Sequence, residues 1–207
     1  MLDLMAYPAD NQSDVENYLR KCTERPKINA WIKNQPGVTR TDFVTTLADK
    51  SENNFMYLRY VLREIEDGTY QDLKISRLPL GLRGYYESHW GQMGMTAKPL
   101  PRLKITIIYI LSESRLPISC QLLRQFLTGG GIQTDEFEIQ AVLDEWDQFL
   151  HKEPGVGGTH YSIYHNSFRD FLNRQDIVQK AGVTIKDINA QISESLIAPI
   201  KDELEDW

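Results

Sequence analysis

Catalysis or metal binding in this chain would rest on four histidines, two cysteines and thirteen glycines. Their spacing argues against most of it. His89, His151, His160 and His165, taken with Cys22 and Cys120, show no metal-ligand spacing. The glycine runs Gly129-Gly130-Gly131 and Gly155-Val156-Gly157-Gly158 lack the lysine of a phosphate loop, and neither follows an apolar strand. Ser, His and Asp occur without a nucleophile elbow. A self-contained enzyme is therefore not expected. His165 is the exception in position. It ends the alternating run Tyr161-Ser162-Ile163-Tyr164 and precedes a helix with Phe168, Phe171 and Leu172 on its apolar face, for which Asn166 or Ser167 is the expected cap. A histidine at such a junction lies near unpaired helix N–H groups, where an anion would be met. A packed structural histidine fits the same position.

Charge sets the second boundary. Lys74, Arg77, Arg83, Lys98, Arg102 and Lys104 face one acid, Glu87, in their stretch, with Tyr85, Tyr86 and Trp90 interleaved. A nucleic-acid patch would have this composition, and so would a helix junction facing an acidic neighbour or a phosphate ligand. The helix expected after Asp135 has the opposite sign. It carries Asp135, Glu136, Glu138, Asp144, Glu145 and Asp147 and no Lys or Arg. In a helix-turn-helix reader the third helix enters the major groove, and six carboxylates would repel it from phosphate. The whole chain carries a net charge of −6, most of it from Lys186 to Trp207. Nucleic acid is therefore a disfavoured partner.

The elements that must hold these residues are helical for the first 95 positions. Ser13 and Glu16 have the spacing of a capping box for a helix with Val15, Tyr18, Leu19 and Cys22, and Pro26 stops or restarts the chain. Ile28, Trp31 and Ile32 sit on a short piece before Pro36-Gly37. The longest stripe, Phe55, Leu58, Leu62 and Ile65, predicts a helix from about Ser51 to Asp67, ended by Gly68. Leu78-Pro79-Leu80 opens another, with Leu82, Tyr86, Trp90 and Met93 on one face. The segment from Gly94 to Pro101 is rich in turn formers and has no periodicity, which places a subdomain boundary there. Beyond it come a dense apolar helix from Leu103 to Leu111, a very short strand at Pro117-Ile118, a helix ending at Gly129, the acidic helix, a loop from Glu153 to Gly158, and a strand from Tyr161 to His165 whose hairpin partner lies near His151. Helices followed by a Gly-rich hairpin have the order of a winged helix-turn-helix. The expected fold class is mainly α: a helical bundle, then a winged-helix subdomain with one small β-hairpin.

Composition is that of a globular chain of 207 residues, 41% hydrophobic and 25% charged. No apolar run approaches the roughly 20 residues of a membrane span, so no membrane is expected. The first residues, Met1-Leu2-Asp3-Leu4-Met5, are too short and too acidic for a signal peptide. Two widely separated cysteines suit a reducing, cytoplasmic setting.

One segment is more specific. Tyr161-Ser162-Ile163-Tyr164-His165-Asn166-Ser167-Phe168-Arg169-Asp170-Phe171-Leu172 resembles the end of the winged-helix subdomain in NACHT-type signal-transduction ATPases, the STAND branch of the AAA+ group. Ser51-Glu52-Asn53-Asn54-Phe55-Met56-Tyr57-Leu58 looks like the lid segment that follows their ATPase core. Leu78-Pro79-Leu80-Gly81-Leu82-Arg83-Gly84-Tyr85-Tyr86 looks like the approach to their winged helix. The resemblance implies a lid bundle over residues 1–77, a winged-helix subdomain over 78–183 and an acidic helical tail over 184–207. Met1 to Tyr7 would be the last strand of the core.

It implies a nucleotide-controlled switch, in which His165 touches the β-phosphate of ADP and Asn53 and Asn54 approach the nucleotide. The lid here lacks the Gly-Leu-Pro-Leu form of many relatives. The phosphate-loop and metal-carboxylate motifs would precede residue 1, so ADP or ATP with Mg²⁺ would be bound only together with that core. The implied partners are the core, other domains of a larger protein, and further copies of that protein on self-association. A winged-helix nucleic-acid-binding protein using the Lys74–Lys104 stretch is the alternative.

Overall fold

A computed structural model describes the backbone of residues 8–205 and the side chains of 11–197. The region proposed as a remnant strand, Met1 to Tyr7, lies outside the described residues. The chain is mainly helical, with a small three-stranded antiparallel sheet. It divides into two compact units, 1–88 and 89–207. The division falls inside a helix, eleven residues beyond the 77/78 boundary that the resemblance implies and short of the Gly94–Pro101 break.

The first unit holds α1 (Pro8–Cys22), α2 (Pro26–Lys33), α3 (Arg40–Ser51), α4 (Phe55–Asp67), a 3₁₀ turn at Ile75–Arg77 and the start of α5 (Gly81–Gln92). Its core is built from Val15, Leu19, Ile28, Phe43, Leu47, Leu58 and Val61, all within 0% exposure. The Ser13–Glu16 box does not form. The helix already begins at Pro8, a residue suited to a first turn, and Glu16 instead pairs with Arg20 one turn on, at 2.8 Å. Pro26 restarts the chain as the first residue of α2. The helix expected from Ser51 begins later: Ser51 closes α3, and Asn54 caps α4. The loop after α4 is tied back to α2, where Trp31 Nε1 donates to Tyr70 O at 2.7 Å and Gln35 bridges Leu73 O and Ile75 N. Gly81 opens α5 at φ +62, and a Cβ there would collide with the Glu52 carboxylate. An acid beside the first turn of a helix complements its dipole.

The second unit holds the rest of α5, α6 (Arg102–Glu113), β1 (Ile118–Ser119), α7 (Cys120–Gly129), α8 (Glu136–Glu145), β2 (Leu150–Gly155), β3 (Gly158–Ile163), α9 (Asn166–Leu172), α10 (Gln175–Ala181) and α11 (Ile185–Glu205). The sheet order is β1-β3-β2. Ile118 faces Tyr161, and Leu150 through Gly155 face Ile163 back to Gly158. The hairpin expected around His151 is present, with His151 opposite Ser162. It is longer on one side and shorter on the other than sequence predicts. Glu153-Pro154-Gly155, expected as loop, belongs to β2, where a proline is tolerated because β2 is an edge strand. The return strand stops at Ile163, so His165 is outside it. Gly157, at φ +82, supplies the tight turn between the strands.

An aromatic core of Trp90, Trp146, Phe149, Phe168 and Phe171 fills this unit, with Phe149 and Phe168 stacked at 4.6 Å between ring centroids. The dense apolar helix α6 is buried on nearly every side, and Tyr109 donates to Leu172 O at 3.0 Å. The first half of the acidic tail packs as well. Ile188 and Ser195 of α11 are buried, and α11 lies on α6 and α7. Gln125 Nε2 donates to Ser195 O and Gln191 Nε2 to Phe126 O. A Cβ on Gly129 or Gly130 would overlap Ser195 or Gln191, so these two glycines permit the close helix approach.

Candidate functional site

His165 is the N-cap of α9, a role sequence reading gave to Asn166 or Ser167. Its backbone is extended, at φ −135 and ψ 135. The ring turns onto the first turn of the helix: Nδ1 accepts from the Ser167 N–H at 3.2 Å and lies 2.6 Å from Ser167 Oγ. A ring nitrogen that accepts from an N–H carries no proton, so the proton of the neutral ring is on Nε2. That N–H has no hydrogen-bond partner among the described residues. The half-buried ring therefore presents a single directed donor, its orientation held by the cap. Around it, Phe168, Phe171 and Leu172 anchor α9 in the core, and Arg169 Nη2 donates to Ser114 O at 2.9 Å. Histidine is not among the preferred N-cap residues, which is why residue type did not announce this role.

Asn53 and Asn54 form the α3–α4 corner in the first unit, whereas His165 belongs to the second. Glu52 and Asn53 both have left-handed backbones, at φ 50 and 59, a conformation asparagine tolerates better than most residues. Asn54 Oδ1 accepts from Met56 N at 2.9 Å and Tyr57 N at 3.2 Å, satisfying two orphan donors of α4. Asn53 O accepts from Asn11 Nδ2 at 3.2 Å. Both residues thus have structural work at the corner, and the Asn54 carbonyl is occupied by it.

The basic stretch does not behave as one patch. Arg83 pairs with Glu87 at 3.0 Å, and Lys104 pairs with Glu145 of α8. Lys74 and Arg77 lie in the first unit and Lys98 and Arg102 in the second; these four are exposed and make no ion pair among the described residues. The acids of α8 are partly matched from within. Lys152 of β2 reaches Asp147 at 2.7 Å and Asp144 at 3.7 Å, and the hydrogen bond with Asp147 raises the lysine above its ordinary value despite some desolvation. Asp135 caps α8 through Glu138 N at 2.9 Å.

The remaining histidines are separated. His89 is buried against Gln148, His151 lies 3.7 Å from Glu153, and His160 Nε2 lies 3.1 Å from Val156 O. Among the described residues no three His, Cys, Asp or Glu side chains could share a metal ion, and no helix is long and apolar enough to cross a membrane. Comparison with family models, with curated proteins and with solved structures finds no match to this chain.

Proposed function

We propose that this chain is the lid and winged-helix part of a NACHT-type nucleotide-dependent switch, a regulatory module that reads nucleotide bound to an ATPase core. The observation that carries the reading is the Nε2–H of His165, a donor fixed by its own cap and left without a protein acceptor. A β-phosphate oxygen is a fitting acceptor for it. The order helix, short strand, two helices and hairpin, with sheet order β1-β3-β2, supports the winged-helix assignment.

The residues present fit one phosphate contact and not nucleotide binding as such. They offer no lysine-bearing phosphate loop and, among those described, no carboxylate cluster for Mg²⁺. In the resting state the module would hold the core closed through His165, and loss of that contact would release it to self-associate. The acidic α8 disfavours the alternative, a nucleic-acid reader, because its outward face carries the charge sign of the phosphates.

A pair of variants tests the proposal. His165→Ala removes both the cap and the Nε2–H donor; His165→Asn keeps a capping oxygen and removes only the donor. A hydrogen bond to a charged group contributes about 1.5–3 kcal/mol. With the core present, joined or supplied in trans, both variants should therefore release ADP roughly 10- to 100-fold faster. Unchanged release in both would show that the ring only caps α9. By itself the chain should hydrolyse no ATP, since nothing in it cradles the β- and γ-phosphates.

A further inference from the structure

The start of α6 and the turn between α10 and α11 border a hollow of about 370 Å³ within the second unit. Its volume is in the range of small-molecule sites. Arg102, Ile105 and Thr106 line it from α6, and Ala181 and Val183 line it from the turn. Residues three and four apart are neighbours on a helix, so Arg102, Ile105 and Thr106 share one face. Ile105 and Ala181 are buried and apolar. Arg102 is the one charged residue of the lining, and it makes no ion pair among the described residues.

Thr106 is the residue that folding does not explain. It is 7% exposed, on a helix whose buried residues are otherwise mostly isoleucine, leucine and tyrosine. A mid-helix threonine ordinarily bonds the carbonyl four residues back or turns to open solvent. This hydroxyl bonds to no described residue. Ser112 Oγ, on the same helix, is sealed from solvent without a partner, but Thr106 Oγ1 is not sealed. The space it meets is the hollow that Thr106 lines. Valine, of the same shape, would serve packing better, because a buried hydroxyl without a bond is costly. The field around the hollow has a direction as well. Helix α6 begins after Pro101 with no side-chain cap, so the positive end of its dipole adds to Arg102. Helix α10 ends at Ala181, where the dipole is negative and the lining apolar.

We propose that this hollow binds a small monocarboxylate with a compact apolar body. The carboxylate pairs with the Arg102 guanidinium, whose fork matches its two oxygens, and accepts the Thr106 hydroxyl proton. The apolar body lies over Ile105, Ala181 and Val183. One guanidinium matches one negative charge, and the apolar wall gives a bare inorganic anion nothing to hold. His165 lines no part of this hollow, so the site is independent of the switch reading above.

The test follows backbone amide NMR shifts of the full chain while hexanoate or phenylacetate is added. Hexanamide and phenylacetamide serve as uncharged twins, and inorganic phosphate as an anion without an apolar body. The carboxylates should titrate saturably and move the Thr106, Gly182 and Val183 amides, while the twins and phosphate bind about tenfold more weakly or not at all. Arg102→Gln, at an exposed position, and Thr106→Val should each weaken the carboxylates by about tenfold. Thr106→Val keeps the shape and removes an unbonded hydroxyl, so its urea midpoint should not fall. Absence of saturation by either carboxylate would overturn the proposal, as would shifts centred away from the hollow. Twins or phosphate that bind as tightly as the acids would overturn it too, and so would affinity that survives both variants. A lowered midpoint in Thr106→Val would show that the hydroxyl already serves the fold, and would remove it from the site.

Discussion

Replacing His165 with alanine removes the side-chain acceptor that caps α9 and leaves the Ser167 N–H to find water. The bond is 3.2 Å long, at the weak end of the N–H acceptor range, so the lower half of the capping scale applies, about 0.5–1 kcal/mol. The loss should not stay local. Phe168 and Leu172 are 1% and 0% exposed, and the Phe168 ring lies against Phe149 and Trp146. Fraying α9 would open the aromatic core, so the cost should register in the cooperative unfolding of the second unit. Urea titration followed by tryptophan fluorescence reports on this unit through Trp146. The midpoint should fall with the slope unchanged. His165→Asn should recover most of the loss, since asparagine is among the best caps in an extended backbone. A His165→Ala protein as stable as the parent would refute the capping argument, and an Asn variant no better than Ala would refute its geometry. The cap is the reason for expecting a loss of stability as well as of any ligand contact.

Binding to duplex DNA or single-stranded RNA should be no tighter than about 10⁻⁶ M at physiological salt, and insensitive to sequence; a tight, sequence-selective gel shift abolished by charge reversal at Arg102 would contradict this. Hydrogen bonds from the Thr39 hydroxyl and N–H hold the Asp42 carboxyl below its ordinary value. A carboxyl lowered on folding lends stability that is complete above its unfolded value and fades as pH falls through the folded one. Asp42→Asn should thus flatten the acid limb of the stability profile, and identical urea midpoint shifts between pH 7 and pH 3 in both proteins would count against it. Gly81→Ala should destabilise the first unit by about 1–2 kcal/mol, the cost of a left-handed alanine, and a parent-like urea midpoint would show that α5 can begin elsewhere.

The helices easiest to read from sequence were those whose apolar stripe and stop residue agree, such as α4 with Gly68 and α8 with Asp135. Helix α3 was not legible, because Arg40–Ser51 carries three threonines and a weak stripe of Phe43, Val44 and Leu47. Its signal is the Thr39–Asp42 capping box, which the sequence does contain. The α3–α4 corner depends on left-handed Glu52 and Asn53, and nothing in residue type requires that of a glutamate. Strand β2 was hidden by Pro154 and Gly155, residues that suit a loop until a partner strand pairs with them. At the candidate site, the place of His165 at a strand-to-helix junction was readable. Its capping bond, and the proton it leaves on Nε2, were not, because both depend on where the ring turns.

Seating α11 against Gly129 and Gly130 also fixes when the second unit can be finished during synthesis. Helices α6 and α7 emerge from the ribosome well before residues 185–195. Until those residues arrive, the α6 and α7 surfaces that α11 covers stay in water, on a nascent chain that already holds its hairpin. Such long-range closure slows folding and prolongs exposure of apolar surface. Chains released early, after about residue 184, would be natural substrates for holding chaperones and for proteolysis. Helix α11 thereby acts as a completeness check on the unit that carries His165.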